Sequence, residues 1–218
     1  MRTDQLIESL AAELKPIDRT RISRALLSAL MIGAIAVLFF MFAVFGSIPN
    51  LVERPHPDVF LSKLLFGISV ATTAAIFLPK LARPRAHAQN LPALIFVPFV
   101  AIVAAAASTL ASVPVTAWSD MVFEEHSVRC LFAIPLLAIP MLAIPPFMAL
   151  VCALRLGAPT DLSFAGAIAG LVAGGLGAAT CALPCVDLWI PAIAIWYGVP
   201  IGVCAIVGAR LGPRLLRW

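Results

Sequence analysis

Long apolar runs separated by short polar stretches set the pattern of this chain. A helix needs about 20 residues to cross a hydrocarbon core roughly 30 Å thick. Six runs of about that length follow one another: Ala25–Ile48, Phe60–Phe77, Leu91–Ser112, Cys130–Leu154, Leu162–Ala182 and Trp189–Ala209. The second is the weakest, because Lys63 lies close to one of its ends. The pattern predicts an all-α polytopic membrane protein, a bundle of six transmembrane helices. A stretch that alternates charged and apolar residues precedes the first run, which is long enough to span, so no cleavable leader is expected and the first span is retained.

Two of the runs carry internal texture. The fourth reads AIPLL, AIPML, AIPP, with prolines at 135, 140, 145 and 146. An interior proline removes a helical hydrogen bond, which predicts a kinked span. In the fifth, Gly166, Gly170 and Gly174 repeat the spacing that lets helix backbones approach closely, and this span is expected at the centre of the bundle.

Ahead of the first span, the segment RTDQLIESLAAELKP predicts a short amphipathic helix. Thr3 is its N-cap, Asp4 and Glu8 complement the positive end of its dipole, and Pro16 stops it after Lys15. Leu6, Ile7, Leu10 and Leu14 form an apolar stripe. A helix this short gains most of its stability by docking. Helices that lie on membranes favour Lys and Arg on their polar face, whereas this one is acidic until Lys15, so the stripe suits a protein partner better than anionic lipid.

Composition sharpens the membrane reading. Of the 218 residues, 62% are hydrophobic and 12% charged, against about 45–50% and about 25% in soluble domains. The mean hydropathy is +1.04. The net charge of +4 comes from residues scattered at segment ends rather than from a basic stripe with interleaved aromatics, which argues against direct nucleic-acid binding.

Orientation follows from the positive-inside bias. With the N-terminus in the cytoplasm, twelve of the fifteen Lys and Arg residues fall inside, leaving Arg54, Lys63 and Arg129 outside. Both termini are then cytoplasmic, the loop carrying Asp120, Glu124, Glu125 and His126 is outside, and Lys63 is expected to snorkel to the outer surface.

Catalysis and ion transport usually need ionisable groups inside the membrane, and none is expected near its middle. The loops hold no Gly-rich phosphate cradle, Ser/His/Asp set or HExxH helix, so no enzyme and no cofactor are expected. The five cysteines divide by depth. Cys152 and Cys204 lie within helices, where a thiol acts as a small hydrophobe. Cys130, Cys181 and Cys185 fall at the outer surface, where a bacterial periplasm is oxidising. A Cys130–Cys185 bridge would staple two outer loops; a redox-labile or metal-sensitive pair is the alternative. His126, one helical turn before Cys130, is a candidate soft-metal ligand, a weak signal by itself. Cys181 and Cys185 have CxxxC spacing, which matches neither a thiol oxidoreductase nor a zinc motif.

Over nearly its whole length the sequence resembles the NrsF family, integral membrane anti-sigma factors whose name abbreviates negative regulator of sigma F. The segments that carry the resemblance are RTDQLIESLAAELKP, VRCLFAIPLLAIP, LRLGAPTDLSFAGAIAGLVAG and ALPCVDLWIPAIAIWYGVPIGVCAIVGARLG. The resemblance implies that residues 1–24 sequester an extracytoplasmic-function sigma factor at the bacterial inner membrane, through Thr3, Asp4, Leu6, Ile7, Leu10 and Leu14. It implies that residues 25–218 form a sensor domain whose outward cysteines, here Cys130 and Cys185, respond to redox or heavy-metal stress, with Cys181 and His126 as further candidates. The chain departs from the family pattern around Cys185, where it has Cys181, Pro184, Val186 and Asp187 in place of an aromatic residue, a His and an acidic pair. A nearby charge or third thiol alters thiol reactivity. Two other classes are the alternatives: a small membrane transporter or metal exporter, which needs intramembrane polar sites, and a quinone-linked thiol oxidoreductase, which needs a CxxC.

Overall fold

A computed structural model describes residues 19–46, 57–81, 91–115, 118, 135–157, 159, 161–184 and 190–217. Helices make up these segments: α1 (Arg19–Phe45), α2 (Pro57–Leu81), α3 (Leu91–Ala111), α4 (Pro135–Leu154), α5 (Leu162–Cys181), α6 (Ile190–Trp196) and α7 (Gly198–Leu215). Among the described residues six spans are long and apolar enough to cross a membrane, α6 and α7 together forming the last. The helical bundle read from the sequence is thus the fold, with boundaries shifted by a few residues. The second span runs from Pro57 to Leu81 and the last continues to Leu215, beyond Ala209.

Local chemistry explains several ends. After α1, Gly46 takes φ +72°, and its N–H bonds to Phe42 O at 3.0 Å. A left-handed glycine of this kind is a common way to satisfy the last carbonyls of a helix. Asp161 caps α5, its carboxylate accepting from the Phe164 N–H at 2.9 Å. The interruption between α6 and α7 falls at Tyr197. Gly198 follows it, and Pro200 has no N–H to give the Trp196 carbonyl, so the ladder loses one rung there. By contrast α4 continues as one helix through Pro140, Pro145 and Pro146. Gly33 of α1 makes room for it, since a Cβ there would sit 2.8 Å from Pro146 Cα.

Two apolar clusters reveal the up-and-down course. One gathers Leu26 of α1, Phe77 and Leu78 of α2, Ile95 of α3, Leu150 and Leu154 of α4, Ala165–Val172 of α5, and Leu216. The other gathers Met41, Phe66, Ile102, Ile139, Cys181, Tyr197 and Ile201. The first holds the late residues of α1's downward neighbours α2 and α4 together with the early residues of α1, α3 and α5, so successive spans alternate in direction. Arg24, Lys80, Arg155, Arg210, Arg214 and Arg217 lie at the first end, called here the basic end; the second is the far end.

The fifth span is the axis of the bundle. Of its spanning residues 72% are buried, against 22% for α1 and for α3. Its small residues allow three partners to come close. Gly166, Gly170 and Gly174 face α7, Gly175 meets Gly67 and Ala71 of α2, and Gly177 meets Ile139 and Ala143 of α4. In lipid, where apolar surface gains little by leaving the solvent, close approach of this kind supplies much of the attraction between helices.

Candidate functional site

Among the described residues the buried polar side chains, Lys63 and Thr180, lie towards the far end. Along α2, Val59, Lys63, Phe66, Gly67, Val70, Ala71 and Ala74 share one buried face, the repeat expected of a helix stripe turned to its neighbours. Lys63 is 0% exposed. The sequence-based expectation that it snorkels to the surface is therefore corrected. Its position four residues from both Val59 and Gly67 places it on the packing stripe, and the close α2–α5 seam turns that stripe inward.

The register of that seam fixes Lys63's level. A Cβ at Gly67 would lie 2.6 Å from Ala179 N, and one at Gly175 would lie 2.7 Å from Ala71 N. The two helices are antiparallel, so one turn from Gly67 towards the far end reaches Lys63 on α2 and the turn after Cys181 on α5. Cys181 is fully buried there, with Tyr197 beside it in the same cluster. Thr180 turns its hydroxyl onto Leu176 O of its own helix at 2.7 Å. Phe66 and Phe99 close the α2–α3 side edge to face, with ring centroids 5.6 Å apart at 88°.

Other hydroxyls of the spans behave like that of Thr180. Those of Ser69, Thr72, Thr73, Ser108 and Thr109 donate to carbonyls three or four residues earlier in their own helices. This arrangement satisfies a hydroxyl locally in lipid.

The basic end is built differently. Gly166 packs on the Gly208 carbonyl, Gly170 on that of Cys204, and Gly212 on that of Leu162. Nearby, the Arg155 guanidinium donates through Nε to Leu215 O at 2.7 Å. A cation there complements the negative end of the α7 dipole and ties the α4–α5 turn to the last span.

Placement of the other residues singled out by the sequence is mixed. Gly166, Gly170 and Gly174 lie together on the α5–α7 seam. Cys204 is buried in that seam, while Cys152 is exposed on α4; both are free thiols. Cys181 lies at the far end of α5. Thr3, Asp4, Leu6, Ile7, Leu10 and Leu14, and likewise His126, Cys130 and Cys185, fall outside the described residues. Among the described residues no group of three His, Cys, Asp or Glu could hold a metal ion. Sequence reasoning missed two features, the burial of Lys63 and the break at Tyr197. Both had signals, in the spacing of Lys63 from Gly67 and in the Gly198–Pro200 pair.

Comparison with known proteins gives a consistent result. A family model described as NrsF, negative regulator of sigma F, matches residues 10–218. A protein of Azospira oryzae named "Probable anti-sigma-F factor NrsF" is 31% identical over 218 residues, covering all of both chains. The "Anti-sigma-F factor NrsF" of Caulobacter vibrioides is 27% identical over 222 residues, again covering all of both. No solved structure matches.

Proposed function

Because this chain belongs to the NrsF family of negative regulators of sigma F, we propose that it is an anti-sigma factor of the bacterial inner membrane that captures an extracytoplasmic-function sigma factor through residues 1–24 and releases it on redox or heavy-metal stress. The single observation that carries this reading is the family match across residues 10–218, joined to six helices fit to cross a membrane. Capture falls to the acidic helix with its stripe of Leu6, Ile7, Leu10 and Leu14, which a groove on a basic protein would bury. Both termini are cytoplasmic in this reading, so the basic end faces the sigma factor and the far end faces out.

Sensing falls to Cys130 and Cys185, with Cys181 and His126 as neighbours that tune it. The protein does no catalysis. It works as a two-state switch, in which a change at the outer thiols biases the packing of the last three spans. Release follows only if sigma binds the two states with different affinity.

Two measurements test these parts. Sigma factor should co-purify with the full-length protein in detergent and with a peptide of residues 1–24, and should be lost when Leu6, Leu10 and Leu14 become Asp. No capture by the full-length protein would sink the anti-sigma reading. The pair Cys130→Ser and Cys185→Ser should leave resting capture intact and abolish stress-induced release; an undiminished response removes the sensing role.

A further inference from the structure

An elongated apolar groove of about 210 Å³ lies between α4 and α7, with Gly170 and Ala173 of α5 as its floor. Its walls include Ile144 and Met148 of α4 and Val207 of α7, all three exposed, so it opens towards lipid. The hollow exists because the floor residues carry too little side chain to fill the space between the walls. Along α7 it runs from Val203 to Leu215. That is about 18 Å at 1.5 Å per residue, close to the depth of one leaflet of a core roughly 30 Å thick.

The groove ends among cations. Val203, Val207 and Arg214 fall on one stripe of α7, and Ile144, Met148 and Arg155 on one stripe of α4. The Arg155 N–H bonds to Val151 O at 3.0 Å, so the helical turn of α4 carries through that residue. Arg155 Nε donates to Leu215 O at 2.7 Å, and Leu215 both lines the groove and follows Arg214 in the chain. The two exposed arginines therefore flank its mouth. Among the described residues one carboxylate, Asp161, lies at this end, capping α5, against the cations of Arg24, Lys80, Arg155, Arg210, Arg214 and Arg217.

An apolar chain carrying an anion at one end matches this arrangement. A helix about 10 Å across would ride over a groove of this volume rather than enter it. A guanidinium offers phosphate a planar fork of donors, and basic sites between helices at a membrane surface favour anionic head groups by about fivefold for each Arg. We propose that the protein binds an anionic phospholipid at its basic end, with one acyl chain in the α4–α7 groove and the phosphate held between Arg155 and Arg214. The lipid then bridges two of the helices packed on α5 and stabilises the bundle, as any ligand bound to the native state alone does.

The test uses full-length protein in detergent, titrated with phosphatidylglycerol and with phosphatidylcholine of the same acyl chains. Native mass spectrometry counts the bound lipid and thermal unfolding reads its effect. Phosphatidylglycerol should bind about 30-fold more tightly, the product of two arginines, and raise the unfolding midpoint. Arg214→Gln, which leaves the Arg155 bond to the Leu215 backbone in place, should cost about fivefold of this preference. Arg155→Gln with Arg214→Gln should remove the preference. Val207→Trp, which fills the groove from an exposed wall, should exclude the lipid. Lys80→Gln makes the same charge change on α2, which meets α5 at Gly175, about 140° around that helix from Gly170, and should leave the preference intact. Equal binding of the two lipids, an equal loss in Lys80→Gln and Arg214→Gln, or unchanged binding in Val207→Trp overturns the proposal. So does full stabilisation by inorganic phosphate alone, or a lipid-free dimer that Val207→Trp dissociates, which gives the groove to a second copy of the chain.

Discussion

The two ends of the α5–α7 seam are built on different principles. At the basic end backbone meets backbone: Gly166, Gly208 and Gly212 leave no room for even one Cβ. Two polar contacts brace it, the Asp161 cap and the Arg155 strap to Leu215 O. Towards the far end the contact loosens. A Cβ at Gly174 would first meet a side-chain atom, Cys204 Cβ, at 3.1 Å, and beyond it the side chains of Ile201 and Tyr197 fill the far end. The last span is also interrupted there, at Tyr197, and the buried Lys63 replaces apolar packing on the α2 side. A backbone contact has one geometry, whereas side chains have rotamers and can repack. The difference teaches that close helix approach is fixed by backbone contact at the basic end and by side-chain packing at the far end.

The largest test of this comparison places one substitution at both ends. Gly166→Val should destabilise the protein in detergent by about 3 kcal/mol, because the added carbons push two helix backbones apart. Gly174→Val, whose first contact is a side chain that can shift, should cost about half as much. Equal losses in thermal unfolding would remove the asymmetry. A smaller effect is expected from Asp161→Ala, which leaves the Phe164 N–H without its cap and should cost about 1 kcal/mol, with Asp161→Asn recovering most of it. The smallest comes from Arg155→Gln. Loss of the bond to Leu215 O should cost about 0.5–1 kcal/mol and speed amide exchange in the last turn of α7 without altering exchange at the far end. A uniform increase along α7 would show that the strap holds the whole helix rather than its end.

How far the sequence reaches is clear from particular elements. The six apolar runs became six spans because the cost of placing a helix in lipid sums over contiguous residues, which any reading of the chain can count. The small-residue run in the fifth marked the helix that lies at the axis, where only Gly and Ala let three neighbours approach. Lys63 was misjudged because its depth near one end of a span permits either snorkelling or burial, and the chain alone does not say which side of α2 meets α5. The break falls at Tyr197 and not at Pro140, Pro145 or Pro146. Proline count pointed to α4, whereas the interruption came where Gly and Pro act together. The stripe of Leu6, Ile7, Leu10 and Leu14 and the cysteines at 130 and 185 lie outside the described residues.

The sequence by itself determined that the chain is a helical membrane protein, where its spans run, and the family to which it belongs. These are properties of contiguous residues. The tertiary structure alone decided which neighbour each glycine of α5 meets, that the α5–α7 seam is backbone on backbone at one end and side-chain packed at the other, and that a lysine is buried at the far end. The reason is physical. In a soluble helix, hydrophobic periodicity marks the face that will be buried, but in lipid the outward face is as apolar as the inward one. The pattern then says how long each helix is and leaves its facing to the partners that pack against it.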